Sequence, residues 1–229
     1  KNDPNEIGNR DVGKGVNFYS IEKEIAMGKS LAQEVERNAK VVDDTIIAEY
    51  VNRVGQNIVR NSDCQVPFTI KVLDDDQINA MALPGGFFYV NTGLILKAQT
   101  EAELAGVIGH EIGHVAHRDG TRSVLQAAGI SFLFGMLLGD FTGGGLVVIA
   151  AKQVIQSAYS REVESVADEY GVKLMVKLQA DANAFADILD RIAGSLDHGI
   201  TKVIMDHPET KQRVAAIKRG AAAALQAPR

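Results

Sequence analysis

Tryptophan is absent from this 229-residue sequence, cysteine occurs once and proline five times. The lone cysteine, Cys64, excludes a disulfide bond within the chain, and it therefore says nothing about the redox compartment. Aromatic residues make up only 6% of the total, which argues against a platform on which nucleic-acid bases stack. The basic residues are dispersed and the formal net charge is −5. Because no positively charged face is indicated, we expect no nucleic-acid partner.

Long uninterrupted hydrophobic runs are also scarce. The stretch 129–151 is long enough to span a membrane, but Asp140 and the glycines at 143–145 divide it into pieces that are too short. We interpret it as two buried helix ends joined by a flexible loop. The alternatives are a hairpin in peripheral contact with a membrane and a lid over the site described below. The chain starts at Lys1 without an apolar segment, so we expect a mature form from which any signal peptide or lipid anchor has been removed.

What the sequence does contain is a globular composition, with 46% hydrophobic and 23% charged residues. We expect residues 1–19 to form a flexible arm and residues 20–229 to form a single domain. Periodicity and capping residues predict helices at 21–39, 44–61, 101–118, 121–138, 146–157, 161–178, 181–193 and 208–225. They predict strands at 68–73, 79–83 and 86–91, the last two joined as a hairpin around Pro84-Gly85. The expected fold class is α+β, mainly helical, with a small antiparallel sheet next to helix 101–118. The first two helices are expected to supply scaffold only.

Two histidines lie four residues apart in an apolar stretch, Val-Ile-Gly-His-Glu-Ile-Gly-His-Val. On a helix, the side chains of His110 and His114 differ in direction by only about 40°, so both rings leave the same face. Two neutral imidazoles one turn apart can share a zinc ion at about 2.0–2.1 Å. Glu111 can stand beside that ion and accept a proton from water without binding the ion itself. The alternative is an ordinary helix that carries these residues by chance.

A catalytic zinc ion takes three protein ligands and keeps one position open. His117 lies on the same face, but about 10 Å along the axis from His110, too far for one straight helix to bring all three rings to one ion. We expect His117 at the surface or beside the ligands. Glu164 and Asp168 are again four residues apart on a predicted helix. One carboxylate can bind the ion while the other accepts the free ring N–H of a ligand histidine. The alternative is an acidic helix surface.

Four segments resemble one family and follow one another in the order that the family has. They are Asn-Ala-x-Ala-x-Pro-Gly-Gly at 79–86, His-Glu-Ile-Gly-His at 110–114, Ser-Arg-x-x-Glu-x-x-x-Asp at 160–168 and His-Pro-x-x-x-x-Arg at 207–213. The family is that of the HtpX-like and CAAX prenyl protease-type gluzincins, metallopeptidase family 48. The similarity is to its soluble, envelope-facing members, since the flanking transmembrane helices of the multi-pass members are missing. The resemblance implies a zincin-like peptidase domain in the bacterial periplasm or associated with the outer membrane.

The resemblance also implies a role for each matching residue of the zinc helix and the helix after it. It makes His110, His114 and Glu164 the ligands of one zinc ion per chain. It makes Glu111 the general base and acid of the reaction, and Asp168 the partner of a ligand histidine.

The remaining matches lie in the other two segments. His207 resembles a histidine that lies near the metal and comes towards the C-terminal end of the family's domain. Such a histidine either donates a hydrogen bond to the oxyanion of the intermediate or occupies the fourth coordination position of the metal. Alternatively, His207 only caps the helix that begins at Pro208. Arg213 either pairs with a site carboxylate or holds its helix in place. Asn79 and Ala80 resemble an edge strand that binds an extended substrate, unless Asn79 is a plain strand-entry residue.

The predicted function is therefore a zinc-dependent endopeptidase that acts on protein or peptide substrates in quality control of cell-envelope proteins. One alternative is a non-hydrolytic assembly factor or chaperone that retains the zinc site. Another is a membrane-bound prenyl-peptide protease. One departure from the family pattern is Arg118-Asp119 after His117, where many members have an Arg-His step. We expect this departure to change the end of the helix rather than the residues that bind the metal.

Overall fold

The computed structural model describes residues 3–13, 20–138, 159–196 and 210–226. The helices are α1 (Ile21–Asn38), α2 (Thr45–Arg60), α3 (Thr92–Lys97), α4 (Glu101–Ala116), α5 (Asp119–Leu138), α6 (Arg161–Lys177), α7 (Asn183–Leu196) and α8 (Thr210–Gln226). The strands are β1 (Thr69–Leu73), β2 (Ala80–Leu83) and β3 (Phe87–Asn91). The mainly helical α+β class is confirmed. Helix α3 was not predicted, and the predicted helix 146–157 lies outside the described residues.

Capping side chains set where the two helices of the predicted site begin. At α4, the Thr100 hydroxyl accepts a hydrogen bond of 3.2 Å from the backbone N–H of Glu103. At α6, the Ser160 hydroxyl accepts one of 3.4 Å from Val163. Each cap satisfies a first-turn N–H that has no partner within the helix. The start of α6 is thereby fixed one turn before Glu164.

The sheet is mixed, with strand order β1-β3-β2. Strands β2 and β3 form the predicted hairpin, antiparallel and with Leu83 opposite Phe87. Strand β1 pairs with the other side of β3 in parallel, with Val72 opposite Val90. The prediction of an antiparallel sheet was therefore wrong for β1. The hairpin signal is local, whereas the direction of β1 depends on β3 inserting between β1 and β2. Strand β2 is left at the edge of this sheet, where it contacts α4.

The described part of the predicted flexible arm, residues 3–13, packs onto the domain. Ile7 is fully buried in the main core. Asp63, only 6% exposed, accepts hydrogen bonds from the backbone N–H groups of Gly8 at 2.6 Å and Arg10 at 2.9 Å. Its other oxygen accepts from the Arg10 guanidinium at 2.7 Å. One apolar side chain and one buried ion pair thus hold a segment whose composition is otherwise polar.

We expect the Asp63 carboxylate to make stability depend on pH. Burial alone would raise the pKa of Asp63, but hydrogen bonds from Arg10 and Gly8 lower it below its ordinary value. A carboxyl group whose pKa is lowered by folding stabilises the folded state above its unfolded pKa of about 3.9, and this stabilisation is lost as the pH falls through the folded pKa. Urea unfolding should show Asp63→Asn less stable than wild type by about 1.5–3 kcal/mol near neutral pH. The difference should shrink in acid.

The matched control for this measurement is Asp74→Asn. Asp74 forms an ion pair with Lys40 at 2.8 Å, and both side chains are at least half exposed. Such a surface pair is worth about 0–1 kcal/mol, so the control variant should unfold close to wild type. A difference between wild type and Asp63→Asn that is the same at neutral and acidic pH would contradict the expected role of this carboxylate.

The stretch 129–151 is described only as far as residue 138, in the last part of α5. Its remaining residues lie outside the described ranges, so the buried, membrane-contacting and lid interpretations all stay predictions. Among the helices that the structure describes, none combines the length and apolar character needed to cross a membrane.

Candidate metal centre

Helices α4 and α6 approach each other closely because glycine and alanine line their contact. A Cβ atom added at Gly113 would lie 3.3 Å from the Cα of Ala167. One added at Gly171 would lie 3.0 Å from the backbone nitrogen of His110. In a close-packed interior the neighbouring backbone would have to give way by a few tenths of an ångström to admit such a methyl group. The small size of Gly113, within His-Glu-Ile-Gly-His, thus allows α6 to come close enough for its side chains to reach the histidines of α4.

Two histidines of α4 and one glutamate of α6 meet in the protein interior. His110, His114 and Glu164 are each at most 3% exposed. The Nε2 atoms of the two histidines lie 3.2 Å apart. The Glu164 oxygens lie 3.4 Å from His114 Nε2 and 3.6 Å from His110 Nε2. One donor atom from each residue lies within 4.8 Å of the other two, so the predicted ligand set is assembled in space.

Hydrogen bonds at the Nδ1 atoms determine which nitrogen of each histidine ring carries a proton. His110 Nδ1 lies 2.9 Å from a carboxylate oxygen of Asp168, and His114 Nδ1 lies 3.0 Å from one of Asp119. An ionised carboxylate only accepts hydrogen bonds, so each Nδ1 carries a proton and each Nε2 atom can serve as a metal donor. The Arg213 guanidinium borders this set, with Nη2 3.5 Å from His110 Nε2, and a metal ion among the three donors would compensate their lone pairs directly. Two imidazole nitrogens and one glutamate oxygen are also the donors of known catalytic zinc sites. The residues present therefore fit a zinc ion.

The electrostatics of the site keep these protonation states. Burial lowers the pKa of His110, and the hydrogen bond to Asp168 opposes that effect without reversing it. The ring is thus neutral near neutral pH, the form that binds metal. Burial would raise the pKa of Asp168, but hydrogen bonds from Arg213 and His110 lower it to about 2. Asp168 is therefore ionised and accepts the proton of the ring.

Arg213, from α8, pairs with the two buried carboxylates of α6, Glu164 and Asp168. Its Nε and Nη2 donate to the two oxygens of Asp168 at 2.8 and 2.7 Å. Its Nη1 lies 2.9 Å from Glu164 Oε2. Of the two alternatives drawn from the sequence, pairing with a site carboxylate is the one found. Because the guanidinium holds Glu164 through Oε2, the other oxygen remains directed at His114.

Asp119 is a residue that sequence reasoning placed outside the site. Helix α4 ends at Ala116, and Arg118 adopts the left-handed conformation with φ +58° before α5 begins at Asp119. This turn brings the buried Asp119 carboxylate back to His114. The expectation concerned the helix end and the ligands; it did not foresee that Asp119, which is outside the donor set, contacts the ring of His114. A helix continued to residue 118, as predicted, would have placed Asp119 about 140° around the axis from His114.

Two further aromatic contacts define the surroundings of the donor set. The Tyr159 ring stacks on His114, with ring centres 4.3 Å apart and planes within 20°. No sequence signal pointed to Tyr159, which precedes α6 in an irregular segment. His117 donates from Nδ1 to the carbonyl of Gly113 at 2.7 Å and packs edge-on against Tyr170. It therefore lies beside the ligands, and the donor set assembled by the described residues does not include it.

The other predicted site residues are positioned but their roles are not tested by geometry. Glu111 adjoins His110 on α4 and is 5% exposed. Asn79 and Ala80, 9% and 3% exposed, lie at the start of edge strand β2. His207 lies outside the described residues. The catalytic roles of Glu111 and His207, and the substrate-binding roles of Asn79 and Ala80, stay predictions.

Comparison with known sequences gives the family. The model of peptidase family M48 matches residues 46–221. The chain is 31% identical to a Vibrio cholerae protein described as a beta-barrel assembly-enhancing protease, over 93% of this chain and 47% of that protein. It is 30% identical to a protease HtpX homolog of Burkholderia thailandensis, over 76% of this chain and 66% of that protein. It is 24% identical to the mitochondrial metalloendopeptidase OMA1 of Arabidopsis thaliana, over 88% of this chain and 42% of that protein.

The chain spans less than half the length of the beta-barrel assembly-enhancing proteases that it matches. The family match itself covers more than half of the chain and includes every side chain that meets in the buried donor set. The chain therefore belongs to peptidase family M48.

Proposed function

We propose that this chain hydrolyses internal peptide bonds of proteins with one zinc ion, held by His110, His114 and Glu164. The observation that carries the proposal is the pair of Nε2 atoms 3.2 Å apart, each on a ring whose Nδ1 is bound by a carboxylate. Three protein ligands leave one coordination position for a reactant, as in catalytic sites, whereas structural zinc sites are closed by four.

Different residues of the chain have different roles in the proposed hydrolysis. A bound zinc ion supplies Lewis acidity, polarising a carbonyl group and lowering the pKa of water from about 15.7 towards about 7. Glu111 takes the proton from the attacking water and returns it to the leaving amine. Asp168 and Asp119 hold the ligand rings in the tautomer that exposes Nε2. His207 donates a hydrogen bond to the oxyanion of the tetrahedral intermediate, or serves as a fourth ligand in a resting state.

The proposed substrate binds as an extended strand along β2, beside Asn79 and Ala80. Unpaired main-chain groups at a sheet edge bind a peptide largely independently of its sequence. This mode suits an enzyme that acts on many misfolded proteins. The resemblance to envelope-facing members supports quality control of cell-envelope proteins, in the periplasm or at the outer membrane.

A second candidate function is a non-hydrolytic role in protein assembly. The name of the relatives described as assembly-enhancing favours it. In that case the zinc ion would only stabilise the fold. The buried carboxylate of Glu111, which follows a ligand histidine and is not in the donor set, favours hydrolysis, because a structural site has no need of a general base.

Metal content tests the ligand set directly. We expect elemental analysis to find about one zinc ion per wild-type chain, and about a tenth of that or less in Glu164→Ala, since ligands of a zinc site supply most of its affinity. Casein hydrolysis by the wild type should stop when a chelator removes the metal and return with added zinc. The matched control is Glu169→Ala, an exposed carboxylate of the same helix that pairs with Lys173. A wild type that binds no zinc, or hydrolysis that survives complete chelation, would contradict the proposal.

A further inference from the structure

Arg118 holds a backbone conformation that has to be stabilised by its surroundings. Its φ of +58° is in the left-handed region, which costs a residue with a side chain about 1–3 kcal/mol. Only His117 and Arg118 separate the end of α4 from Asp119, the first residue of α5. The turn at Arg118 therefore determines where the Asp119 carboxylate lies relative to His114.

A buried carboxylate of α1 binds the side chain of Arg118. Glu24, 2% exposed, accepts hydrogen bonds from Arg118 Nε and Nη2 through Oε2, both at 2.6 Å. Its other oxygen accepts from the backbone N–H of Gly85 at 3.2 Å. Gly85 lies in the turn Pro84–Gly86, directly after edge strand β2. Glu24 thus joins the end of the metal helix to the end of the proposed substrate strand.

Close backbone contact fixes α1 against the same turn. A Cβ atom added at Gly28 would lie 1.8 Å from the carbonyl oxygen of Pro84, and one added at Gly85 would lie 2.6 Å from the Cα of Ile25. Since α1 cannot shift towards the turn without such overlaps, the Glu24 carboxylate has a defined position. It can serve as a fixed anchor for the Arg118 guanidinium, whose planar fork matches a carboxylate.

We propose that Glu24 is a positioning residue of the metal site, acting through Arg118 and Asp119 on the ring of His114. This inference rests on the proposed zinc site and adds to it a helix that the sequence assigns to scaffold alone. Without the Glu24 carboxylate, the Arg118 guanidinium loses an ion pair of 2.6 Å that helps to stabilise the left-handed turn, and the turn relaxes. Asp119 then moves from His114 Nδ1, and the ring loses the acceptor that sets its tautomer and orientation. Loss of such a partner lowers metal affinity about 10–100-fold.

Zinc affinity, measured by competition with a chromophoric chelator, tests the proposal on purified variants. We expect Asp119→Ala to weaken zinc binding about 10–100-fold and Glu24→Gln about tenfold. The double variant should bind no more weakly than Asp119→Ala alone, because both changes remove the same contact. Effects that multiply in the double variant would overturn the proposal, since they would show that Glu24 acts independently of Asp119.

A rescue variant separates positioning from general loss of stability. Glycine adopts positive φ without strain, so Arg118→Gly combined with Glu24→Gln removes both charges while allowing the turn. We expect this pair to regain zinc affinity to within about threefold of wild type. An affinity as low as that of Glu24→Gln alone would overturn the proposed role of the turn. Unfolding followed in the presence of chelator shows whether each variant is folded before metal is added.

The matched control is Glu101→Gln, which breaks an exposed ion pair with Arg53 of 2.8 Å and should leave zinc affinity unchanged. The outcomes distinguish this inference from the proposed function. A wild type that binds no zinc refutes the zinc site itself. A wild type that binds zinc, with Glu24→Gln and Asp119→Ala of equal affinity to it, overturns only the positioning role.

Discussion

Replacing Glu111 by glutamine should lower kcat/KM for peptide hydrolysis by about 10²–10⁴-fold, the usual contribution of a general base, and leave zinc content at the wild-type level. Glutamine has nearly the same shape as glutamate but cannot accept the proton of water at neutral pH. Glu111 adjoins His110 on α4 and is buried, so the substitution preserves packing. Because Glu111 is not among the donor atoms that converge, metal binding should not depend on its charge.

Hydrolysis of a fluorogenic peptide and elemental analysis on the same preparations check this prediction. Glu162→Gln provides the control, since Glu162 is an exposed acidic residue in the first turn of α6 and should leave both readings unchanged. Activity within tenfold of wild type would assign the base to another residue. If Glu111→Gln abolishes hydrolysis but retains the full biological effect, the non-hydrolytic assembly role would be favoured instead.

Replacing Arg213 by methionine should destabilise the metal-free protein by about 3–5 kcal/mol, the range for removing one partner of a buried ion pair. The side chain of Arg213 is 10% exposed and pairs with Asp168 and Glu164 at once. Burial would lower the pKa of Arg213, but its hydrogen bonds to Asp168 and the charges of Asp168 and Glu164 raise it, so the guanidinium stays charged. Methionine fills a similar volume but leaves both carboxylates buried without their cation.

Urea unfolding in the presence of chelator measures this loss. Arg53→Met is the control, because Arg53 forms an exposed pair with Glu101 and such pairs are worth about 0–1 kcal/mol. Added zinc should restore part of the stability of Arg213→Met, since a ligand that binds only the folded state stabilises it. A loss below about 1 kcal/mol would contradict the view that Arg213 balances the charges of α6.

The predictable part of the site is the part encoded within single helices. The spacing of His110 and His114, and of Glu164 and Asp168, fixes which side chains share a face once each stretch is helical. The hairpin at Pro84-Gly85 was predictable for the same local reason. The meeting of the two helices followed from the requirement for a third ligand, and the structure brings the donors together.

The remaining features depend on contacts that spacing does not contain. Asp119 reaches His114 only because Arg118 departs from the helical conformation. An arginine in the sequence does not predict a positive φ, as a glycine would. Glu24 has the sequence signature of an ordinary acidic first-turn residue, which the helix dipole favours. Its ion pair with Arg118 joins residues 94 positions apart. In the same way, the N-terminal segment is held through Ile7 and Arg10, whose partners in the main core and at Asp63 are distant in sequence.

The glycine contact between α4 and α6 sets how far Glu164 lies from the two imidazoles. His110 and His114 lie one turn apart on α4, so their spacing does not depend on α6, whereas Glu164 approaches them because the two helix backbones come close at Gly113 and Gly171. A small ion with bonds of about 2.0–2.1 Å suits such closely spaced donors, whereas calcium, with bonds of about 2.3–2.6 Å, takes about six to eight oxygen ligands. A single methyl group at position 171 would therefore move Glu164 away from both histidines and weaken the binding of a small ion.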